Sequence, residues 1–330
     1  MTSFRAFRIE QDNGGYHAGI RTMQTDALSA GEVLVRVEWS SVNYKDALAG
    51  TGKGKILRRF PLNGGIDAAG TVVASTDERF REGDQVLATG SGLSETRDGG
   101  YGEYVRLPAE WTIPLPAGLT TREAMIIGTA GFTAALALLR MTDNRQTPAL
   151  GPIAITGATG GVGMLGVDIF TRAGYEVHAV SGKTDRFDAL RAVGATRCID
   201  RHELAFSGRP LDSAVYGGLL DNVGGATLAG FLPLIHAYGN AAVCGLAASP
   251  ALETTVMPFI IRGVSVLGIA SAGTARDIRD EVWRKLATDW KPRHLDTICT
   301  REIRLDDVSS VFETMLAGGS FGRTLVRVQR

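Results

Sequence analysis

The stretch Ile-Ala-Ile-Thr-Gly-Ala-Thr-Gly-Gly-Val-Gly, residues 153–163, predicts a strand that turns through glycines into a helix. Residues 153–156 are apolar or β-branched, which is typical of a buried parallel strand. Apolar side chains then recur at helical spacing, at Val162, Leu165, Ile169 and Ala173. Gly157, Gly160 and Gly163 match G-x-x-G-x-x-G, a variant of the dinucleotide fingerprint whose missing side chains let the backbone approach a pyrophosphate at a helix N-terminus.

The surroundings of these glycines matter, because the chain has 42 glycines and many of them serve only turns. A second predicted strand, residues 176–180, follows Gly174 at the end of the helix. Strand, helix and strand together form a β-α-β unit of about 30 residues, which is the context that the fingerprint requires. We therefore predict a dinucleotide site, with an ordinary turn as the alternative.

The end of the second strand indicates which dinucleotide fits. Sites for NAD usually carry Asp or Glu there to bind the ribose hydroxyls, whereas this chain has Ser181, Lys183 and Arg186. A hydroxyl and two cations suit the 2′-phosphate of NADPH through charge-assisted hydrogen bonds. We expect NADPH rather than NADH; the alternative is that the two cations are merely solvated on a surface loop.

Length and composition describe an ordinary globular protein. The 330 residues suit two domains, and 44% hydrophobic with 21% charged residues can form substantial cores. The formal net charge is zero, so we expect no nucleic-acid partner and no attraction to anionic membranes. We also expect no signal peptide at residues 1–5, no apolar run of transmembrane length and a cytoplasmic location. Cys198, Cys244 and Cys299 are too scattered for a disulfide framework or a zinc motif, and are expected to be buried small hydrophobes in a reducing compartment.

The first third of the chain predicts a β-rich domain. Short apolar or alternating runs, separated by Gly, Asp and Asn turns, predict strands at 4–9, 32–39, 70–74 and 85–88. No long helical pattern precedes residue 120. We expect these strands to form a partly closed barrel.

From Thr120 onward the pattern changes. Thr120 or Thr121 is expected to cap a helix, with Glu123 in its first turn. Further strands are predicted at 211–221, 241–245 and 264–269. Each follows a helical or turn segment, which is the alternation of a doubly wound parallel sheet.

Ligands of such sheets lie beyond the carboxyl ends of the strands. This rule places further residues along the cofactor groove, namely Asn222, Val223, Cys244, Gly245, Leu246 and Ile269. The tail is predicted as a helix at 277–290, a strand at 302–305, a helix at 308–316 and a final strand from Arg323. We expect the tail to return to the first domain.

A polar quartet, Asn43, Tyr44, Lys45 and Asp46, comes after the second predicted strand and the small residues Ser40 and Ser41. Taken alone, Asn43 or Asp46 would be a helix N-cap and Lys45 would lie in solvent. A basic loop follows at residues 52–60, and it is either a solvated face or a seat for phosphate groups of a large substrate.

With these elements in hand, nearly the whole chain resembles the zinc-independent branch of the medium-chain dehydrogenase/reductase superfamily, in its acryloyl-CoA reductase and YhdH-type quinone oxidoreductase group. The stretches that carry the resemblance are residues 42–47, 52–55, 65–67, 129–134, 156–163, 181–183 and 322–323. The resemblance implies a GroES-like catalytic domain, residues 1–122 and 300–330, and a Rossmann NADPH-binding domain, residues 123–299.

Metal ligands of the zinc branch are absent from the corresponding positions here. Its first cysteine ligand falls near Asn43 and Tyr44, its Gly-His-Glu motif reads Gly65-Ile66-Asp67, and three scattered cysteines cannot form its four-cysteine lobe. Catalytic zinc normally needs three protein ligands. We therefore predict no metal, and an already activated alkene as the hydride acceptor.

The resemblance implies reduction of acryloyl-CoA to propanoyl-CoA, by hydride transfer from NADPH to the β-carbon and protonation of the α-carbon. Asn43 and Tyr44 are candidates to stabilise the enolate oxygen, with Tyr44 or a water that it holds as the proton source. Asp46 would order this network, and Arg323 would stabilise negative charge beside the cofactor. Lys53, Lys55, Arg58 and Arg59 would receive the phosphates of CoA.

The full set of expected cofactor residues joins the motif positions to those implied by the resemblance. They are Tyr44, Thr129, Thr133, Thr159, Gly160, Gly161, Val162, Ser181, Lys183, Arg186, Asn222, Val223, Cys244, Gly245, Leu246, Ile269 and Arg323. Two other functions stay open: a quinone or enone oxidoreductase, whose substrate needs no phosphate site, and a non-catalytic NADPH-binding protein. The family implies homodimers, and the apolar strand at 264–269 is suited to edge pairing.

Overall fold

The computed structural model describes residues 2–13 and 15–329. Residues 1 and 330, the outer limits of the predicted first domain, lie outside that description. The chain divides into two compact units, the first comprising Met1–Thr129, Ala272–Trp283 and Cys299–Arg330, and the second comprising Ala130–Ser271 and Arg284–Ile298.

The strands of the described residues are β1 (Ser3–Asp12), β2 (Gly15–Gln24), β3 (Val33–Val42), β4 (Leu62–Asn63), β5 (Asp67–Ser75), β6 (Gln85–Thr89), β7 (Tyr104–Leu107), β8 (Ile113–Pro114), β9 (Ile153–Thr156), β10 (Val177–Ser181), β11 (Arg197–Asp200), β12 (Tyr216–Asp221), β13 (Ile235–Val243), β14 (Ser265–Gly268), β15 (Cys299–Arg304) and β16 (Arg323–Arg327). The α-helices are α1 (Tyr44–Thr51), α2 (Thr121–Asp143), α3 (Gly161–Arg172), α4 (Phe187–Ala192), α5 (Gly225–Phe231), α6 (Met257–Arg262), α7 (Arg276–Ala287), α8 (Leu295–Ile298) and α9 (Val308–Leu316).

The first unit is β-rich, as predicted. One sheet has the order β15-β16-β3-β5-β6-β8, with β7 also paired to β3, and a smaller sheet has the order β2-β1-β4. The strand predicted at 32–39 is observed as β3, in which Val33, Val35 and Val37 are almost fully buried. Pairing of Thr324 with Val42 joins β16 antiparallel to β3, which confirms the expected return of the tail.

The second unit contains the predicted doubly wound sheet. Six parallel strands have the order β11-β10-β9-β12-β13-β14, which turns back at β9 and places the fingerprint strand in the middle of the sheet. A buried cluster between strands and helices includes Leu219, Leu228, Phe231 and Ala241. The carboxyl ends of the central strands therefore present the predicted ligand-facing turns on one edge.

Several element limits differ from the predictions. The strand predicted at 211–221 begins only at Tyr216, and the strand predicted at 241–245 begins already at Ile235. The first error arises because residues 211–215 include apolar positions but make only isolated backbone hydrogen bonds, at Asp212 and Val215, and join no strand ladder. The second arises because His236, Tyr238 and Asn240 interrupt the apolar run inside a paired strand.

Helix α2 corrects one sequence expectation. It is long and apolar enough to cross a membrane by length and composition, although we expected no such run. Of its most apolar 18 residues, 89% are buried inside the protein, so packing accounts for the apolar composition. The predicted cap is confirmed, because the backbone N–H of Glu123 donates to Thr120 Oγ1 at 3.1 Å while Thr120 donates to the Glu123 carboxylate.

Candidate functional site

The polar quartet lies where β3 ends and α1 begins. Asn43 has extended backbone angles and precedes the first residue of α1, and its backbone N–H donates to Asp46 Oδ2 at 2.8 Å. The capping interpretation therefore describes this segment, but only in part. Lys45 is not left in solvent, since it forms an ion pair with Glu95 and burial lowers its pKa.

Asp67 is the centre of a buried network in the first unit. It is 0% exposed and accepts hydrogen bonds from Ser41 Oγ at 2.6 Å, Asn43 Nδ2 at 2.8 Å and Thr129 Oγ1 at 2.6 Å. The sequence prediction noted Asp67 only as a departure from the zinc motif and assigned it no role. The available signal was a single acid among small residues that favour burial. A carboxylate buried there needs several hydrogen-bond partners, so it would lie at the centre of a network.

A break in helix α2 lets this network close. Gly128 has φ 49° and ψ −159°, a conformation that interrupts the helix. A Cβ at Gly128 would lie 2.6 Å from Asp67 Oδ2 and 2.8 Å from Arg323 Nη2. The break frees the backbone N–H of Thr129, which donates to Asp67 at 3.1 Å. Glycine is therefore needed both for the angles and for the space.

Arg323, the first residue of β16, is enclosed by the same network. It is 2% exposed, and its Nη2 donates to Ser41 Oγ at 2.6 Å while its Nη1 donates to Asn43 Oδ1 at 3.1 Å. Its Nε donates to the carbonyl of Ile126 at 2.9 Å, and its Nη2 lies 3.8 Å from Asp67 Oδ2. Burial lowers the pKa of Arg323, and the charge of Asp67 opposes that shift.

Asp46 is the second buried carboxylate of this network. It is 1% exposed, and its Oδ1 accepts the backbone N–H of Ile66 at 2.9 Å. Burial, followed by the charge of Asp67, raises the pKa of Asp46 to about 7. The Asn43 amide donates to both carboxylates, at 3.2 Å to Asp46 and 2.8 Å to Asp67.

Tyr44 differs from its neighbours in the quartet because its side chain is 54% exposed. Both amide hydrogens of Asn43 are already donated to carboxylates, so in this arrangement Asn43 holds the network and offers no amide donor to a ligand. Tyr44 is therefore the exposed member of the quartet, and it carries a hydroxyl.

The glycine turn of the second unit has the geometry that the fingerprint predicts. Gly157 has φ +59°, and Gly160 is the residue before α3. A Cβ at Gly163 would lie 2.3 Å from the carbonyl oxygen of Gly157 and 2.6 Å from Ala158 Cα. The turn thus packs directly against the first turn of α3, whose leading N–H groups have no acceptor within the helix.

The tip of β10 brings together the residues predicted to select the dinucleotide. Ser181 is buried, its Oγ lies 2.9 Å from Thr159 Oγ1, and it accepts the backbone N–H of Lys183 at 3.1 Å. Burial lowers the pKa of Lys183; the charge of Asp185 opposes this shift, and the charges of Arg186 and Arg201 add to it. Three cations therefore share this strand tip with Asp185, which pairs with Arg186 at 3.0 Å.

Arg201 was missed by the sequence prediction. It directly follows β11, a strand that was not predicted, and its Nε would lie 2.6 Å from a Cβ on Gly182. The pairing of Ser181 with Asp200 is what brings it to the tip of β10. The short run Arg197–Asp200 carries no clear alternation, so the sequence offered little signal for this residue.

Residues predicted to line the groove also meet at the ends of β9, β12 and β13. The backbone N–H of Asn222 donates to Thr156 Oγ1 at 3.0 Å, and Thr156 Oγ1 donates to Asp221 Oδ1 at 2.6 Å. Cys244 Sγ donates to Asn222 Oδ1 at 3.1 Å, and burial raises the pKa of Cys244 to about 12. The carboxyl ends of three parallel strands are thereby fastened together.

The other predicted cofactor residues are placed as follows. Gly161 and Val162 form the first turn of α3, Val223 and Gly245 follow β12 and β13, Ile269 is buried, and Leu246 is 65% exposed. Thr133 Oγ1 donates to Ser271 Oγ at 2.8 Å within the second unit. Thr129 belongs to the first unit, where its hydroxyl donates a hydrogen bond to Asp67.

Matches to two domain models and to a relative of the same length decide the family of this chain. The model of the alcohol dehydrogenase GroES-like domain matches residues 29–117, and that of the zinc-binding dehydrogenase family matches residues 161–288. The Bacillus subtilis protein named "Putative quinone oxidoreductase YhfP" is 42% identical over 99% of this chain and 99% of its own length. This chain belongs to the medium-chain dehydrogenase/reductase family.

Other members of the medium-chain dehydrogenase/reductase family match it over similar lengths. Acrylyl-CoA reductase AcuI of Ruegeria pomeroyi is 40% identical over 98% of this chain and 99% of its own length. The crystal structure of the YhdH oxidoreductase of Salmonella enterica, in complex with NADP, is 44% identical, covers 98% of this chain and 100% of that one, and has a TM-score of 0.94. The structure of Bacillus subtilis YhfP with NAD bound is 41% identical, covers 99% and 100%, and has a TM-score of 0.96.

The next feature is the grouping of side chains that could bind a metal. Within residues 2–13 and 15–329, no three His, Cys, Asp or Glu side chains lie close enough together to hold an ion. The absence of a metal stays a prediction. The three cysteines are free thiols that are half-buried, which corrects the expectation that they are buried.

The basic loop does not act as one cluster of cations. Lys53 pairs with Glu313 of α9 at 3.1 Å, whereas Arg59 Nη2 donates to Ser29 Oγ at 2.8 Å. All four cations, Lys53, Lys55, Arg58 and Arg59, are exposed. The loop therefore splits into a part drawn toward α9 and a part held against residues 29 and 95.

Proposed function

We propose that this protein reduces the C=C bond of acryloyl-CoA to give propanoyl-CoA, with NADPH as hydride donor. The observation that carries the proposal is the full-length similarity to AcuI, a relative named for that activity. The three cations at the tip of β10, where an NAD site would carry an acid, support NADPH over NADH.

The proposal is tested by following NADPH absorbance with purified protein and acryloyl-CoA, beside a quinone, crotonyl-CoA and NADH. Rapid turnover of acryloyl-CoA with NADPH supports it. Quinone reduction without acryloyl-CoA turnover favours the second candidate, which rests on the similarity to the protein named a quinone oxidoreductase. No oxidation with any acceptor would leave a non-catalytic NADPH-binding protein.

The cofactor would be held by the second unit, whose residues fit it. The leading N–H groups of α3 and the close turn at Gly163 suit a pyrophosphate, and Ser181, Lys183, Arg186 and Arg201 suit the 2′-phosphate. Thr159, Gly160, Gly161, Val162, Asn222, Val223, Cys244, Gly245, Leu246 and Ile269 are proposed to line the rest of the groove, with Thr133. When bound, NADPH supplies the hydride that adds to the β-carbon of the substrate.

Replacing Lys183 by Ala is expected to raise the Kd for NADPH about tenfold or more, because one charge-assisted hydrogen bond to the 2′-phosphate is lost. The Kd for NADH is expected to stay within about twofold, since NADH lacks that phosphate. Calorimetric titration of both nucleotides measures the difference. Lys285→Ala, which removes a lysine of α7 whose Nζ lies 4.5 Å from the centre of the Trp290 ring, is the matched control. Equal losses for both nucleotides would contradict the assignment.

The protein's own part in the reaction is to hold the substrate and deliver a proton. We propose that the exposed Tyr44 hydroxyl donates to the developing enolate oxygen and, directly or through water, protonates the α-carbon. Asn43, Asp46 and Arg323 would keep the Tyr44 segment in place through the buried network around Asp67. In this proposal they are positioning residues.

Replacing Tyr44 by Phe is expected to lower kcat about 100-fold, because general acid catalysis contributes about 10²–10⁴ in rate. The Kd for NADPH should not change, since the side chain loses only its hydroxyl. Stopped-flow turnover with acryloyl-CoA checks kcat, with Tyr104→Phe on β7 as control. A kcat equal to that of the wild type would remove Tyr44 as proton donor.

We further propose a homodimer formed through the edge of the second unit's sheet. Strand β14 ends the described strand order, and Val266 on it is 40% exposed. Three more exposed apolar side chains lie close by in sequence: Val256 at 63%, Ile260 at 68% and Ile261 at 61%. An open strand edge beside an apolar patch is a typical site of pairing between two copies.

Replacing Ile260 by Glu is expected to raise the dimer Kd at least about 100-fold, because a charge would be buried without a partner. Sedimentation velocity over a range of concentrations measures the shift. Ile278→Glu, on an exposed position of α7, serves as control. A wild-type protein that sediments as a monomer at high concentration would contradict the dimer itself.

We also propose that the protein works in the cytoplasm on a small-molecule substrate. All three cysteines are free thiols, which is typical of a reducing compartment. Fractionation of cells that produce the full chain tests the location.

A further inference from the structure

The first unit contains a cavity of about 380 Å³ whose lining includes none of the residues given a role in the proposed reaction. Its lining includes Ser91, Gly92, Trp111, Ala272 and Thr274. The ring of Trp111 also packs against Gly92, where an added Cβ would lie 3.4 Å from Trp111 Cη2. The cavity has the size of a small-ligand pocket and an aromatic wall.

Arg97 joins this cavity to the basic loop. Its guanidinium lies 4.4 Å from the centre of the Trp111 ring, and its Nη1 donates to the carbonyl of Ala30 at 2.9 Å. Arg59 Nη2 donates to Ser29 Oγ at 2.8 Å, so the two arginines hold adjacent residues of one segment. Arg97 Nε is buried and has no hydrogen-bond partner. The charges of Glu32 and Asp98 act on Arg97, yet this buried N–H, next to a second arginine, has no acceptor of its own.

The backbone of Arg58 is held close to this segment. Its backbone N–H donates to the carbonyl of Glu95 at 2.7 Å, which fastens the basic loop to the segment that carries Arg97. Lys53, in contrast, is paired with Glu313 at 3.1 Å on α9. Thus Arg59 lies near Arg97 and Trp111, and the backbone of Arg58 is fastened to the segment that carries Arg97, whereas Lys53 pairs elsewhere.

We propose that this surface binds the nucleotide part of coenzyme A, with the adenine in the Trp111 cavity and the phosphates on Arg58, Arg59 and Arg97. An aromatic wall stacks on a purine, and guanidinium groups bind phosphate through paired hydrogen bonds. A bare quinone ring would use neither. The inference rests on the proposed function, because it names the nucleotide as the part of the same thioester that the protein recognises.

The test compares acryloyl-CoA with acryloyl-pantetheine, which has the same reacting group but no nucleotide. In Trp111→Ala and in Arg59→Ala, the ratio of kcat/KM for the CoA ester to that for the pantetheine ester is expected to fall at least about tenfold. Trp111→Phe keeps an aromatic wall and should restore most of the ratio. Arg21→Ala, an exposed arginine paired with Glu10 on the smaller sheet, is the matched control. Unchanged ratios in Trp111→Ala and Arg59→Ala would overturn the inference.

A binding measurement separates this inference from the proposed function. Adenosine 3′,5′-bisphosphate is titrated into the full chain by calorimetry, with NADPH in excess to fill the second unit's groove. Binding that Trp111→Ala or Arg59→Ala weakens at least about tenfold supports the nucleotide surface even if no thioester is reduced. Turnover of acryloyl-CoA without bisphosphate binding would uphold the proposed function and overturn the surface.

Discussion

Replacing Asp67 by Asn is expected to lower the free energy of unfolding by about 3–5 kcal/mol, the cost of removing one partner of a buried ion pair. Asp67 is fully buried, and Arg323, at 2% exposure, lies 3.8 Å from it. Ser41 and Thr129 hydroxyls also lose the anion to which each donates at 2.6 Å. Urea unfolding of wild type and variant measures the difference.

The control for this substitution is Asp188→Asn, the same chemical change at a side chain that is 99% exposed. Its effect is expected to stay below about 1 kcal/mol, because exposed ion pairs contribute little. If Asp67→Asn cost no more than Asp188→Asn, the network around Asp67 would not be what holds this part of the first unit.

The same variant has a pH signature that comes from Asp46. The folded-state pKa of Asp46 is about 7, above its ordinary value of 3.8, so the folded protein keeps this proton longer than the unfolded chain does. Its contribution to stability is therefore greatest at low pH and is lost as pH rises from about 4 to about 7. Asp67→Asn removes a charge that raises this pKa, so the loss becomes shallower and the gap between the two proteins narrows with rising pH.

The fold could be predicted where local pattern and final structure agree. Strand Ile153–Thr156 and helix Val308–Leu316 have the predicted limits, because each shows a clear pattern of apolar residues that stays within one element. Strands β2 and β7 were missed because their half-exposed residues show a weak pattern. The pairing partner of β7, strand β3, is also far along the chain, so register with a distant strand rather than local propensity decides that element.

The candidate site divides in the same way. The glycine turn and the β10 tip were predicted because their residues are adjacent in sequence and follow one β-α-β unit. Asp67 and Arg201 were not, since their roles come from partners such as Arg323 and Gly182. The opposite happened at Asn43, whose amide was expected to be available and is taken up by Asp46 and Asp67. Hydrogen-bond partners that long-range packing supplies cannot be read from spacing.

Replacing Gly163 by Ala is expected to raise the Kd for NADPH at least about 100-fold, equivalent to about 2.7 kcal/mol, and to destabilise the second unit by about 1–3 kcal/mol. The new Cβ would lie 2.3 Å from the carbonyl oxygen of Gly157 and 2.6 Å from Ala158 Cα. Both are backbone atoms, so the turn itself has to move away from α3. Nucleotide titration and urea unfolding measure the two effects.

A comparison with Gly160→Ala separates the shape of the turn from access to the nucleotide. A Cβ at Gly160 would meet only the carbonyl oxygen of Gly157, at 3.3 Å, so that variant is expected to lose NADPH affinity with little loss of stability. Gly19→Ala controls for the substitution itself, because the nearest atom to its new Cβ would be Nη1 of Arg21, at 3.6 Å. If Gly163→Ala kept both affinity and stability, the turn would tolerate a side chain there, and the fingerprint would predict a nucleotide site for a reason other than close packing.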